Sequence, residues 1–240
     1  MTFNITELNI KLFADGADIK VIEEMADKFY ISGLTTNPTL MRKAGITNYE
    51  KFAKQVLEIV KTKPISFEIF SDDLEVMKYQ GEKIAAFGEN VFVKVPITTT
   101  QGILTSTVIS HLSTRGIKLN VTAVMTVNQV EKIAQVIDPK TPSFVSVFAG
   151  RIADTGRDPI PIILQSLKTL ENLPKCELIW ASPRELLNIF QANDSKCHII
   201  TATNDLLNKL ELIGKDLTLY SLETVKMFYN DASASGYTIN

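Results

Sequence analysis

Apolar and polar positions along this chain follow two rhythms that take turns with little interruption. Short runs rich in β-branched and aromatic residues occur at 10–15 (IKLFAD), 30–35 (YISGLT), 64–70 (PISFEIF), 90–96 (NVFVKVP), 118–124 (KLNVTAV), 143–149 (SFVSVFA), 176–182 (CELIWAS) and 197–203 (CHIITAT). Between them the period becomes helical. In DIKVIEEMADKF, Ile19, Ile22, Ala26 and Phe29 recur every three to four residues behind an Asp18 N-cap. NYEKFAKQVLEIV places Tyr49, Phe52, Val56 and Val60 on one stripe, and TVNQVEKIAQVI does so with Val130, Ile133, Ala134 and Ile137. Gly116 and Gly214 stand where helices are expected to end. Eight strand-like runs, each followed by a helical segment at a mean spacing of about 27 residues, predict one (β/α)8 barrel of the TIM type rather than a doubly wound sheet. The runs are nearly continuous in apolar character, as parallel strands covered on both faces require. Residues 1–214 are thus expected to form a single barrel domain that carries the chemistry. Residues 215–240 read as a C-terminal helical extension whose Leu222, Val225, Phe228 and Tyr229 give it an apolar face suited to a neighbouring subunit.

Composition narrows the partners. With 25 Lys and Arg against 27 Asp and Glu in 240 residues, the formal charge of −2 predicts neither nucleic acid nor a membrane surface as partner. A small molecule is the expected ligand. The sequence shows no signal-peptide pattern near its start and no apolar stretch of about 18 residues, so the expected location is the cytoplasm. Cys176 and Cys197 form no CxxC pair, there are two histidines, and no GxGxxG occurs. These features predict no metal site, no nucleotide cofactor and two buried, reduced cysteines.

In such a barrel the chemistry lies at the C-terminal ends of the strands. The polar residues there are Asp15 after the first run, Thr35, Thr36 and Asn37 after the second, Glu68 in the third, Lys94 in the fourth, and Asn120 and Thr122 in the fifth. Arg151 follows the sixth run, and Ser182 and Arg184 follow the seventh. Strand alternation puts Lys94 on the face of Phe92, Asn120 with Thr122, and Glu68 with Ser66 and Phe70, without deciding which face points inward. Each group also has a plainer structural reading. Lys94 would pair with Glu68 or Asp15; TTNP is a turn signal; Arg151 would be a solvated loop residue. Ser182-Pro183-Arg184-Glu185 reads as a capping box, with serine at N-cap, proline at N1 and glutamate at N3. A helix N-terminus beside an arginine also suits a phosphate. His111 and His198 fall away from the rim and are not expected to act as bases.

Lys94 is the informative residue. An ammonium within Val91-Phe92-Val93 and Val95-Pro96-Ile97 is costly to bury unpaired. A desolvated lysine can instead attack a ketone as the free amine, and the iminium it forms is an electron sink for C–C cleavage.

Taken in order, LFADGAD, GLTTNPTL, FVKVPITTTQG, LNVTAVMT, FAGRIADTGRDP and WASPRE resemble the corresponding segments of the transaldolase family. In length the chain is similar to the small subfamily that includes fructose-6-phosphate aldolases. The resemblance implies a cofactor-free, cytoplasmic homo-oligomer, pentamer or decamer, that moves a dihydroxyacetone unit between sugar phosphates in the pentose phosphate pathway. It implies Lys94 as the iminium-forming nucleophile, Asp15 as acid and base at the C4 hydroxyl, and Glu68 and Thr122 as holders of a proton-relaying water. Thr36, Asn37 and Asn120 would contact the substrate, and Arg151, Ser182 and Arg184 would hold its phosphate. Aldolase-type members carry glutamine and tyrosine where Glu68 and Phe148 stand, so this pair implies transfer. A fructose-6-phosphate aldolase is the alternative reaction, and a catalytically silent sugar-phosphate-binding barrel is the non-enzymatic one. Pro183 replaces the family's usual aromatic between serine and arginine, which bears on the geometry at Arg184.

Overall fold

A computed structural model describes residues 5–239. The eight expected strands are present: β1 (Lys11–Asp15), β2 (Ile31–Thr35), β3 (Ile65–Glu68), β4 (Val91–Pro96), β5 (Leu119–Val124), β6 (Ser143–Val147), β7 (Cys176–Trp180) and β8 (Ile199–Thr203). They pair in sequence order, all parallel, and β8 closes onto β1 to complete a barrel. The helices are α1 (Ile19–Asp27), α2 (Pro38–Lys43), α3 (Tyr49–Ile59), α4 (Leu74–Ala85), α5 (Ser106–Ser113), α6 (Val127–Ala134), α7 (Ala149–Ala153), α8 (Ile160–Leu170), α9 (Leu187–Asp194), α10 (Asn204–Leu207) and α11 (Leu217–Ala234). Short α2 and α7 are inserted after β2 and β6, where the sequence pattern showed only loops.

Strand parity sorts the core into two compartments. Odd-numbered positions of β4 and β5, among them Val91, Val93, Val95, Leu119 and Val121, pack outward under the helices. The opposite face turns Phe13, Phe92, Phe144, Ile179 and Ile199 into the barrel interior. Phe92 and Phe144 stack there with ring centroids 4.0 Å apart, and Phe13 meets Phe144 edge-on at 5.7 Å. This aromatic plug fills the lower barrel. It leaves the C-terminal end to Asp15, Glu68, Lys94 and Thr122, which lie farther along the same inward faces.

Several helices start at side-chain caps. The Asp18 side chain accepts from Lys20 N and Val21 N, as expected, and α3 buries Phe52 and Val56. Gly116 has a φ of 77° just past α5, and Gly214 a φ of 75° just past the short 3-10 helix Asn208–Leu212. Two expectations fail. Phe29 is not on the buried stripe of α1 but 79% exposed, because the helix ends at Asp27 and Met25 takes the inward place after Ile22. Ser182 caps no helix: its φ is +60°, α9 starts only at Leu187, and the Asn188 carboxamide oxygen accepts from Arg184 N and Glu185 N instead. Cys176 and Cys197 are buried and unbridged, and burial pushes both thiols up to about 12. No helix among the described residues is long and apolar enough to cross a membrane.

β1 and β2 fit closely at Gly33. A Cβ on Gly33 would lie 2.4 Å from the Phe13 ring, which is 1% exposed and held by Phe144, so the ring has no room to withdraw. Gly33→Ala is expected to lower stability by about 1–3 kcal/mol through overpacking, measured as a shift of the urea midpoint.

Candidate active site

The strand ends and the loops beyond them enclose a cavity of about 500 Å³. Lys94 lies at its floor, 6% exposed. Its Nζ donates to the Thr36 carbonyl at 3.0 Å and lies 3.3 Å from Glu68 Oε2. The register puts Glu68, Lys94 and Asn120 side by side on β3, β4 and β5. The amine is therefore aimed by one neutral acceptor just past β2 and one carboxylate on the adjoining β3.

Asp15 completes the charged set from β1. Thr35 Oγ1 donates to its Oδ1 at 2.8 Å and Asn37 Nδ2 to its Oδ2 at 3.2 Å. Asn37 also caps α2, accepting from Leu40 N at 2.9 Å, so the TTNP turn and the site share one side chain. Burial raises the Asp15 carboxyl above its ordinary range, against the pull of Lys94 and the two donors. Burial likewise raises Glu68; Lys94 works against that shift, and Asp15 adds to it. Tyr49 of α3 donates to the Glu68 carbonyl at 2.7 Å and fixes the end of β3.

Thr122 lines the cavity, and its buried Oγ1 has no hydrogen-bond partner among the described residues. It lies within a register break in β5 between Val121 and Val124, where Ala123 has a φ of +61°. A hydroxyl so placed is free to bind a water or a substrate oxygen.

Two expected substrate contacts lie one layer deeper. The Thr36 hydroxyl donates to the Ser66 carbonyl at 2.9 Å. Asn120 is fully buried, donating to Ser66 Oγ at 2.9 Å and accepting from Ser146 Oγ at 2.7 Å. Neither is on the cavity wall. Both brace the residues that are.

Phe148, Arg151, Ser182 and Arg184 form the opposite wall. Arg151 lies 5.8 Å from the centroid of the Phe148 ring and has no ion-pair partner among the described residues. Arg184 is instead gripped by both carboxylate oxygens of Asp154, and this holds the Asp154 carboxyl below its usual range. The wall therefore offers one free guanidinium and one that is already paired, an arrangement suited to an anion. Its two arms interlock: a Cβ on Gly150 would lie 1.6 Å from the Ser182 carbonyl oxygen. Gly150 and Asp154 lie within the FAGRIADTGRDP segment, but neither periodicity nor strand parity marks them. Ser146 and Thr201, also on the wall, could have been found by extending the inward parity along β6 and β8.

The model for the family described as transaldolase/fructose-6-phosphate aldolase matches residues 12–239. The chain belongs to this family. A protein of Thermoanaerobacter sp. named "Probable transaldolase" is 33% identical over 218 residues, covering 90% of this chain and 95% of its own. Another of that name from Clostridium acetobutylicum is 34% identical over 225 residues, covering 93% and 99%. Among solved structures, a 2,3-dimethylmalate lyase of the PEP mutase/isocitrate lyase superfamily aligns with a TM-score of 0.51 at 10% identity, covering 97% of this chain and 86% of that one. That likeness shows the barrel fold alone. Among the described residues of this family member, no three His, Cys, Asp or Glu side chains cluster to hold a metal ion.

If Gly150 is what lets Arg151 and the Ser182 turn approach each other, Gly150→Ala must push them apart. Calorimetric titration with inorganic phosphate is expected to show binding weakened about tenfold or more, one lost charge-assisted contact, with the far-ultraviolet circular dichroism unchanged.

Proposed function

We propose that the protein is a transaldolase that carries a three-carbon dihydroxyacetone unit on Lys94, from a ketose phosphate to an aldose phosphate. The observation that supports this reading is the placement of Lys94 Nζ at the cavity floor, between the Thr36 carbonyl and Glu68 Oε2. Such an amine attacks the C2 carbonyl of the donor. Glu68 and a water on Thr122 Oγ1 exchange the protons that convert the carbinolamine to the iminium with loss of water. Asp15 then takes the C4-hydroxyl proton as the C3–C4 bond breaks. The bond's electrons move into the iminium to give an enamine, and an aldose phosphate leaves. The acceptor aldehyde reverses these steps, with Asp15 returning the proton. Arg151 and the Ser182 turn hold the phosphate, and Arg184 stands beside them with its charge partly neutralised by Asp154. On this reading the enzyme works in pentose phosphate metabolism in the cytoplasm.

Transfer is favoured over simple cleavage by what faces the enamine. Release of dihydroxyacetone requires protonation of the enamine at carbon, and the Phe148 ring on the cavity wall supplies no proton for that step.

The same reading makes the protein a homo-oligomer. Helix α11 buries none of its residues, and Leu222, Val225 and Phe228 are 49%, 59% and 62% exposed. A helix this apolar on its outside is suited to a neighbouring subunit. Val225→Asp with Phe228→Asp is expected to reduce the mass seen by sedimentation to that of one chain. An unchanged mass would remove α11 from the subunit contact.

Borohydride with fructose 6-phosphate is expected to fix a reduced adduct on Lys94, located by peptide mass, and Lys94→Arg to abolish both label and turnover, since a guanidinium stays protonated. Dihydroxyacetone release should stay low until erythrose 4-phosphate is added. Abundant release with no acceptor would assign the aldolase reaction instead. A labelled and active arginine variant would end the Schiff-base mechanism.

A further inference from the structure

Thr201 has no role in the mechanism above, yet it lies on the cavity wall, 6% exposed, on β8. Its Oγ1 is 2.6 Å from Thr35 Oγ1, and Thr35 Oγ1 is 2.8 Å from Asp15 Oδ1. A threonine hydroxyl has one proton to give, and an ionised carboxylate can only accept. With Asp15 ionised, the Thr35 proton points at Asp15, so Thr201 must donate to Thr35. The chain then runs from Thr201 through Thr35 to Asp15. With Asp15 protonated on Oδ1, every member can turn round. Asp15 donates to Thr35, Thr35 to Thr201, and Thr201 to an acceptor in the cavity such as water. No bond beyond the proton's arrival at Asp15 forms or breaks, because the two hydroxyls only rotate. Asn37 Nδ2 donates to the other oxygen, Oδ2, in either state, which leaves Oδ1 as the oxygen whose partner must adapt. The charged groups that act on Asp15 are Lys94 on β4 and Glu68 on β3, and neither can change its donor direction in this way.

We infer that Thr201 is a positioning residue for the reaction: by closing a reversible hydroxyl chain, it keeps Thr35 fully hydrogen-bonded whether Asp15 is ionised or has accepted the substrate's proton. The inference rests on the reading of Asp15 as the group that takes the C4-hydroxyl proton. Without the Thr201 hydroxyl, a protonated Asp15 leaves the Thr35 proton buried with no acceptor, and an unmade buried hydrogen bond is costly. The step that protonates Asp15 is therefore the one that should slow.

Thr201→Val keeps the side-chain shape and removes the hydroxyl; Thr201→Ser keeps the hydroxyl. In the coupled assay with fructose 6-phosphate and erythrose 4-phosphate, Thr201→Val is expected to lower kcat about tenfold, the scale of one lost hydrogen bond. KM should stay within about twofold, since Thr201 is not among the phosphate-holding groups. Thr201→Ser should recover most of the lost kcat. Borohydride should still label Lys94 in both variants, because iminium formation precedes the step at Asp15. A valine variant with unaltered kcat overturns the inference, as does a serine variant that loses as much, which would point to packing of the methyl group. Failure of the unmodified protein to form the Lys94 adduct would overturn the reading of the site itself, and this inference with it.

Discussion

A closed ring of eight parallel strands sends every second side chain into one narrow interior, and the rest of this protein follows from how that interior is filled. Phe13, Phe92 and Phe144 occupy its lower part as a packed aromatic plug, and Gly33 gives up its side chain to make room. Above the plug the same inward faces carry Asp15, Glu68, Lys94 and Thr122. The plug closes the barrel below them, so the charges are desolvated by the structure that stabilises the fold.

Three ionisable groups share that upper space, one amine and two carboxyls. Lys94 pairs directly with Glu68, and Asp15 keeps its own donors in Thr35 and Asn37. Burial raises both carboxyls, and their nearness to each other raises Glu68 further. Two carboxyls that hold protons more readily than usual beside an amine are equipped to exchange protons with it and with a bound sugar. The supporting layer is neutral: Thr36, Ser66, Asn120 and Ser146 satisfy one another and keep the strand ends in register without adding charge.

The far wall is organised by backbone rather than by burial. Ser182 adopts a left-handed conformation that non-glycine residues seldom take, and its carbonyl occupies the space where Gly150 lacks a side chain. That contact ties the α7 arm carrying Arg151 to the turn carrying Arg184. Asp154, three residues after Arg151, then fixes Arg184 through both carboxylate oxygens. Pro183 stands between the two wall residues Ser182 and Arg184.

The sequence by itself determined the eight strands, their order, the helical stripes of α3 and α6 and the charged residues at the strand ends. Each of these depends on periods of two or 3.6 residues, which neighbouring residues encode. It also carried enough of the family's ordered segments to place the chain among the transaldolases and fructose-6-phosphate aldolases. Only the tertiary structure decided which strand face turned inward, because alternation is symmetric until the barrel closes. Closure likewise put Thr36 and Asn120 below the cavity rather than on it. The Ser182 turn read locally as a helix cap, but crowding against Gly150, more than thirty positions earlier, sets its backbone. Thr201 lies 166 positions from Thr35; what brings them together is barrel closure, which sets β8 on one side of β1 and β2 on the other, a placement that no local pattern can encode.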